Sequence, residues 1–292
     1  SWVSYKERGF SVPANVSYME SHDEERLMYK NLQFGNSSGN YSVKNLATAL
    51  DRVELAGAFY FTIPGPKMIW QFGELGYDIS INENGRVGNK PILWNYFDVE
   101  DRKDVYNTYS KLIQLKLKYN IFESSNFTLD VANSNGLKKI QLTDTSSSEM
   151  QYVTIVGNFG VTTQNISPSF QTSGTWYDLL NDNATKTVIN VNSTITLAPG
   201  EFKVYGNMPA ALSTEDVFLD NKIVAYPNPT FNNFRINTDT KKVEIYNLQG
   251  RKVKQFKGNF NSTSEFSVEN LSKGVYFIKV DNLDYSLKII KK

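Results

Sequence analysis

The residues best suited to chemistry lie near the start of the sequence, where His22 and Asp23 stand side by side in an acidic cluster at residues 20–25. A short apolar run at residues 16–19 precedes them and predicts a buried strand that delivers these polar groups at its C-terminal end. In α/β barrels the catalytic groups project from that end of the strands. The alternative is that the acids cap the following segment, because acidic side chains favour the first turn of a helix.

The composition narrows the chemistry further. His22 is the single histidine of the 292 residues, and cysteine is absent. Disulfides, a thiolate nucleophile, a Cys/His zinc site and a multi-histidine metal centre are therefore excluded within this chain. A Ser-His-Asp mechanism would have to run through His22. Metal sites built purely from carboxylates stay open.

The elements that must position the His-Asp pair alternate between strand and helix. Helices are predicted at residues 42–61 and 102–120, where apolar residues recur every three or four positions. Pro64-Gly65-Pro66 ends the first helix, because proline removes a donor and clashes inside a helix, and a second buried strand is predicted at residues 67–72. This alternation is the repeating unit of a parallel α/β fold, but two units are too few to close a sheet. Residues 1–122 are therefore predicted to be the end of a larger α/β domain.

A change of pattern near residue 123 marks a different region. β-Branched and aromatic residues then recur with period two between turn clusters, which predicts a small antiparallel sandwich over residues 123–206. A linker is predicted at residues 207–222 and a second all-β module at 223–292. That module carries 12 Lys and Arg against 6 Asp and Glu, a net charge of +6, whereas the rest of the chain has a net charge of −5.

Composition also limits where the chain acts. With 40% hydrophobic and 13% aromatic residues, the sequence predicts well-formed cores. Its longest apolar runs fall far short of the roughly 20 residues of a membrane helix, so no transmembrane segment is predicted. The net charge of +1 gives no overall field for nucleic acid, and no nucleic-acid partner is expected. No signal peptide is predicted at the start, so the chain is expected to be either cytoplasmic or a processed or truncated piece.

Residues 18–27, Tyr-Met-Glu-Ser-His-Asp-Glu-Glu-Arg-Leu, resemble the fourth signature region of the α-amylase family, glycoside hydrolase family thirteen, where a His-Asp pair closes the seventh barrel strand. Residues 64–77 resemble the eighth strand of that barrel and the loop after it. The commoner form of the fourth region has Asn where Ser21 stands. The resemblance implies the last two strand–helix units of a (β/α)8 TIM barrel, followed by an antiparallel β-sandwich and a second small β-sandwich.

The same resemblance implies roles for individual residues. His22 would hydrogen-bond hydroxyl groups of the sugar next to the scissile bond. Asp23 would hold the ring hydroxyls as that sugar distorts towards an oxocarbenium ion, and would so act as a transition-state stabiliser. Trp70, Tyr77 and Glu74 are further candidates for substrate binding. The alternative for the two aromatic residues is packing in the core or at the barrel rim.

A retaining glycosidase also needs a nucleophilic carboxylate and a separate general acid. In the family these residues come from the fourth and fifth barrel strands, so neither role is assigned to a residue of this chain. Glu20, Glu24 and Glu25 are interpreted as rim or structural carboxylates, which is also the alternative for Glu74. The chain alone is therefore predicted to have no glycosidase activity. No metal or cofactor is predicted in this chain, and a calcium ion would belong to upstream segments of the full-length enzyme.

Two further resemblances cover the rest of the sequence. Residues 176–180 and 197–202 are typical of the sandwich that follows the barrel in the amylase family, where structural support for the barrel is favoured over glucan binding. Residues 225–230, 243–251 and 271–280 resemble, in order, the motifs of the C-terminal sorting domain of the type IX secretion system. That resemblance implies recognition by the secretion machinery and a secreted or outer-surface location. The basic charge of this module would be a contact surface for the machinery or, as the favoured interpretation, a solvated face.

Together these resemblances predict the C-terminal part of a secreted α-amylase-like enzyme. The full enzyme would act on α-glucans of the starch or glycogen type by a retaining mechanism. The alternative is a secreted protein without catalytic activity that binds glucan or mediates adhesion. A third interpretation treats the sandwiches as purely structural.

Overall fold

The structure, a computed structural model, describes residues 2–211, 223–281 and 286–292. The chain divides into two compact units, Ser1–Leu212 and Ser213–Lys292. The fold is mixed α/β, with few helices and mostly antiparallel sheets. Most of the predicted linker, from residue 212 to residue 222, lies outside the described residues.

The first part of the first unit contains two short parallel strands and three α-helices. The strands β1 and β4 pair in parallel, with Ser17 opposite Lys67 and Tyr18 opposite Met68. Short 3-10 helices join these elements, and β2 and β3 form a small hairpin. The elements are β1 (Ser17–Tyr18), α1 (Leu27–Phe34), β2 (Ser37–Ser38), β3 (Tyr41–Ser42), α2 (Leu46–Phe61), β4 (Lys67–Met68) and α3 (Glu100–Lys118), with 3-10 helices at Lys6–Arg8, Gly73–Leu75, Trp94–Asp98 and Asn120–Glu123.

These bounds refine the predicted ones. Helix α2 begins four residues later than predicted, because the Asn45 side chain accepts a hydrogen bond from Thr48 N (3.4 Å) and caps the helix there. The strand predicted to reach Phe72 ends at Met68, because Gly73 N donates to Trp70 O (2.8 Å) and turns the chain. Helix α1 was not predicted.

The rest of the first unit is antiparallel, as its period-two pattern predicts. Six strands form one sheet in the order β10-β9-β12-β7-β6-β5, and β8 pairs with β11 separately. The strands are β5 (Phe127–Asp130), β6 (Leu137–Thr143), β7 (Tyr152–Asn158), β8 (Gln164–Ile166), β9 (Gly174–Asp178), β10 (Ala184–Val188), β11 (Ile195–Leu197) and β12 (Phe202–Gly206).

One hydrophobic core runs from the helices of the first unit into this sheet. Gly157 in β7 permits the close approach of α2, because a Cβ at this position would lie 2.6 Å from Leu55 Cδ1 and 2.6 Å from Phe59 Cε2. Gly57 in α2 does the same for Tyr109 in α3, whose Cε1 would be 2.5 Å from an added Cβ. The packing therefore joins the segments on either side of residue 122, and a domain boundary there stays a prediction.

The second unit is all-β and has its own core. A four-stranded sheet has the order β16-β15-β18-β19, and a three-stranded sheet has the order β13-β14-β17. The strands are β13 (Ala225–Tyr226), β14 (Asn233–Ile236), β15 (Thr240–Tyr246), β16 (Lys252–Phe260), β17 (Phe266–Ser267), β18 (Gly274–Val280) and β19 (Leu287–Lys291).

Candidate functional site

The parallel pairing of β1 and β4 brings the two predicted site segments to the same edge, because the C-terminal ends of parallel strands point the same way. Tyr60 in α2 holds the pair together. Its hydroxyl accepts from Met68 N (2.9 Å) and lies 2.7 Å from Ser17 O and 2.8 Å from Met68 O. Burial raises the pKa of Tyr60, so the hydroxyl stays protonated and can donate to one of these carbonyls.

Below this edge lies a buried ion pair. Arg26 Nη1 lies 2.9 Å from Glu20 Oε1, with none of the arginine side chain exposed and 10% of the glutamate side chain exposed. Glu20 Oε2 accepts a further hydrogen bond from Leu27 N (2.7 Å). The pair therefore ties the strand β1 to the first turn of α1.

Two aromatic rings enclose the guanidinium of Arg26. Its Cζ lies 3.3 Å from the Trp70 ring centroid and 4.5 Å from that of Tyr77. Its Nε and Nη2 atoms are buried without a hydrogen-bond partner among the described residues, so the rings supply the compensating cation–π contact. Burial lowers the pKa of Arg26, and Glu20 opposes that shift. Arg26 was not predicted as a site residue; its position directly after the acidic cluster, with aromatic residues in the segment 64–77, was the available signal.

His22 and Asp23 lie in the loop between β1 and α1, and both side chains face solvent. The side chains are 79% and 70% exposed, and His22 Nε2 lies 3.5 Å from Asp23 Oδ2. The backbone of Asp23 is fixed from both sides, because its N–H donates to Ser21 Oγ (3.2 Å) and its carbonyl accepts from Arg86. The loop is thus held while the two functional groups stay available for a ligand.

The neighbouring acids are occupied by the protein itself. Ser21 Oγ donates to Glu24. Glu25 accepts from Ile81 N (2.8 Å) and Ser80 Oγ (2.7 Å). Burial acts to raise the pKa of Glu25, but these hydrogen bonds lower it overall. The contacts agree with the structural interpretation of Glu20, Glu24 and Glu25.

The remaining candidates fall into different environments. Tyr77 is 1% exposed, its hydroxyl donates to Pro91 O (2.6 Å), and its ring stacks on Phe72. The prediction that Tyr77 binds a sugar does not fit this burial, because no face of the ring is open. Trp70 is partly exposed and rests on Arg26. Glu74 is also partly exposed, and burial raises its pKa although Arg26 opposes this.

Within the described ranges, no three His, Asp or Glu side chains come together in a group that could hold a metal ion. The described helices include none that is long and apolar enough to span a membrane.

In the second unit, the segment before β14 covers the outer edge of β19. Asn228 acts like a strand backbone: its Nδ2 donates to Lys288 O (2.7 Å) and its Oδ1 accepts from Ile290 N (3.0 Å). Thr230 continues the pairing, because its N–H donates to Ile290 O (2.8 Å) and its carbonyl accepts from Lys292 N (2.9 Å). Asn228 and Thr230 lie in the first motif of the predicted sorting domain, and they hold the strand that follows its third motif.

The fold of the chain is similar to that of solved carbohydrate-active enzymes. A gamma-CGTase from alkalophilic Bacillus clarkii matches 98% of this chain with a TM-score of 0.51 and 14% identity. An Anoxybacillus α-amylase matches 66% with a TM-score of 0.47 and 19% identity. This chain spans 40% of the first structure and 38% of the second.

Comparisons of the amino-acid sequence gave further matches. Ulvan lyase NLR42 of Nonlabens ulvanivorans is 35% identical over an alignment of 89 residues that covers 27% of this chain and 17% of that protein. Residues 224–292 match the family of secretion system C-terminal sorting domains. The second unit is therefore a type IX secretion system C-terminal sorting domain, which directs the chain to secretion or to the cell surface.

Proposed function

We propose that the first unit is the C-terminal part of an α-amylase-like catalytic domain of glycoside hydrolase family thirteen. In this proposal, β1 and β4 are the last two strands of a (β/α)8 barrel, α2 and α3 are the helices that follow them, and residues 123–206 are the sandwich after the barrel. The parallel pairing of β1 with β4 across the helix α2 supports it. The similarity of fold to the gamma-CGTase is consistent with the same arrangement.

The observation that carries the proposal is the exposure of His22 and Asp23 at the C-terminal edge of this strand pair. Both side chains present hydrogen-bonding groups to solvent from a loop whose backbone is fixed. An α-glucan is the proposed ligand, with His22 binding hydroxyls of the sugar next to the scissile bond. Asp23 would bind the ring hydroxyls more strongly as the ring flattens and positive charge develops. The transition state is then stabilised more than the bound substrate is, and the activation barrier falls.

The nucleophile and general acid of the retaining mechanism are not assigned to residues of this chain. Glu20 is paired with Arg26, and Glu25 accepts hydrogen bonds from Ser80 and Ile81. Moving either acid to the sugar would break those contacts. We therefore propose that the chain binds α-glucan but does not hydrolyse it without the rest of a barrel.

Titration of the chain with maltoheptaose, followed by calorimetry, tests this assignment. Asp23→Asn should weaken binding at least fivefold, whereas Glu24→Gln, a matched change of the adjacent exposed acid, should leave it within twofold. Equal effects of the two variants would remove Asp23 from the site. Binding that survives Asp23→Asn but is lost when aromatic residues of the sandwich are changed would instead favour the non-catalytic glucan-binding protein.

Release of reducing sugar from maltoheptaose is the second measurement. The expected rate is that of buffer alone. Hydrolysis by the wild-type chain that disappears in Asp23→Asn would overturn the proposed inactivity. The same result would still support Asp23 as a residue of the glucan-binding site.

A further inference from the structure

The four-stranded sheet of the sorting domain has a buried face and an open face. In β18, Tyr276, Ile278 and Val280 belong to the core. Phe277 and Lys279 alternate with them and are exposed on the other side, with Phe277 at 39%. This second side is the subject of the inference.

The strand register shows which residues share that side, because residues directly opposite in a sheet lie on the same face. Phe277 is opposite Tyr246 in β15 and Lys288 in β19. Lys279 is opposite Glu244 in β15. We call this surface the basic face, and its defining residues are Lys242, Lys252, Lys257, Lys279 and Lys288, around Phe277.

The charges on the basic face do not balance. Among the described residues, the strand register places one acid, Glu244, on the basic face. Its two carboxylate oxygens are each 3.0 Å from a lysine Nζ atom, that of Lys242 and that of Lys252. Lys279 and Lys288 form no ion pair within the described part of the chain. Lys242 also lies directly opposite Lys257, a like-charge pairing that weakens a sheet.

The need to keep the edges of the sheet from pairing with other chains explains only some of the lysines on the basic face. Lysines on an edge strand prevent pairing with another chain, which accounts for Lys252 and Lys257 in β16. It does not account for Lys279, because β18 is a central strand. Nor does it account for Lys288, because Asn228 already covers the edge of β19.

We propose that the basic face is the surface by which the sorting domain docks on an acidic protein surface of the secretion machinery. An aromatic centre with a charged rim is the usual anatomy of a protein interface. The rim is cationic, so the complementary partner surface is acidic. Phe277 lies between Tyr246 and Lys288 across the sheet, and a lysine side chain is longer than a phenylalanine side chain. Insertion into a lipid surface instead needs apolar groups that project past the charges.

Export of the full chain, fused behind a signal peptide that carries it to the periplasm of a bacterium with an active type IX system, tests the proposal. The fraction of chain that reaches the surface or the medium is measured for Lys279→Glu/Lys288→Glu. The matched control is Lys241→Glu/Lys273→Glu, which changes the charge equally at exposed lysines outside the basic face. Lys279→Arg/Lys288→Arg tests whether charge alone is needed. Thermal unfolding of each purified chain checks that the sorting domain is folded.

The expected result is a loss of export of at least tenfold in the first variant, with the control and the arginine variant within twofold of wild type. Equal losses in the first variant and the control would reduce the effect to net charge and overturn the proposal. Normal export of the first variant would also overturn it. A third outcome assigns the basic face to lipid binding instead. In that outcome phosphatidylglycerol vesicles bind the wild-type chain but not Lys279→Glu/Lys288→Glu, and the export of this variant equals that of wild type.

Discussion

Two pairs of polar side chains lie within one short loop of the first unit and differ in both separation and burial. Arg26 and Glu20 are 2.9 Å apart, almost fully buried, and enclosed by aromatic rings. His22 and Asp23 are 3.5 Å apart, and more than two-thirds of each side chain is exposed. The buried pair fixes the path of the chain, and the exposed pair is left free by it. Polar side chains in this loop therefore serve two purposes: the buried pair stabilises the fold, and the exposed pair is available to a ligand.

The largest expected effect comes from breaking the buried pair. Glu20→Ala leaves the Arg26 guanidinium buried without its anion, so the free energy of unfolding of the first unit should fall by about 3–5 kcal/mol. All four tryptophans, Trp2, Trp70, Trp94 and Trp176, lie in this unit. Urea unfolding followed by tryptophan fluorescence therefore measures it separately from the sorting domain. A loss below about 1 kcal/mol would place the pair among ordinary surface contacts.

Glu54 sharpens the comparison, because it is a partly buried acid that forms no ion pair with any of the described residues. Burial raises its pKa to about 7, a hydrogen bond from Thr108 opposes this, and Asp51 and Asp104 add to it. The folded state therefore holds the proton more tightly than the unfolded state does. The contribution of the Glu54 proton to stability is fully present below about pH 4.5 and is lost as the pH rises through about 7, by on the order of 2 kcal/mol.

The variant Glu54→Gln should remove this pH dependence, and urea titrations at pH 4.5, 6 and 7.5 measure it. Asp23→Asn is the matched control and should leave the slope unchanged. The same slope in wild type and Glu54→Gln would assign the pH dependence to another group.

Tyr60→Phe tests the connection between α2 and the two strands. The change removes a hydroxyl that contacts Ser17 O, Met68 O and Met68 N. The loss of buried hydrogen bonds should cost about 1–3 kcal/mol in the free energy of unfolding of the first unit. Tyr29→Phe serves as the control, because Tyr29 is partly exposed in α1 and its hydroxyl has no hydrogen-bond partner among the residues that the structure describes. This change should alter stability by less than about 0.5 kcal/mol.

The smallest effect is expected at the exposed pair. Asp23→Asn should change the free energy of unfolding by less than about 0.5 kcal/mol, because solvent screens both groups. The same variant is expected to lose glucan affinity, so stability and binding would separate at this residue. A destabilisation as large as that of Glu20→Ala would show that the two pairs have the same role.

Secondary structure was predicted well where the apolar periodicity is strong and poorly where tertiary contacts determine the backbone path. The core of helix α2 and the strands β5, β6, β7, β9 and β12 follow from apolar spacing and period-two alternation, whereas the strands β8, β10 and β11 were not predicted. The strand predicted through Phe72 failed because a turn at Trp70–Gly73 is set by tertiary packing against Glu20, whose Oε1 would lie 2.9 Å from a Cβ on Gly73.

The two most informative failures have physical causes. Strand β16 was missed because its lysines and glutamine interrupt the alternation, as they do on many edge strands. Tyr77 was assigned to a sugar because its residue type suits stacking, and spacing cannot show that the ring is already occupied by Arg26 and Phe72. His22 and Asp23 were located by their motif, but their exposure became visible only in the structure.

The contact of Asn228 and Thr230 with β19 sets the order in which parts of the sorting domain can form. The segment that opens the domain finds its partners only at Lys288, Ile290 and Lys292. A ribosome must therefore have made residue 292 before these hydrogen bonds can all form. A chain that stops before Lys288 can form neither side-chain hydrogen bond of Asn228. The first segment of the sorting domain therefore pairs only after β19 has been synthesised, although its own residues are made some 60 positions earlier.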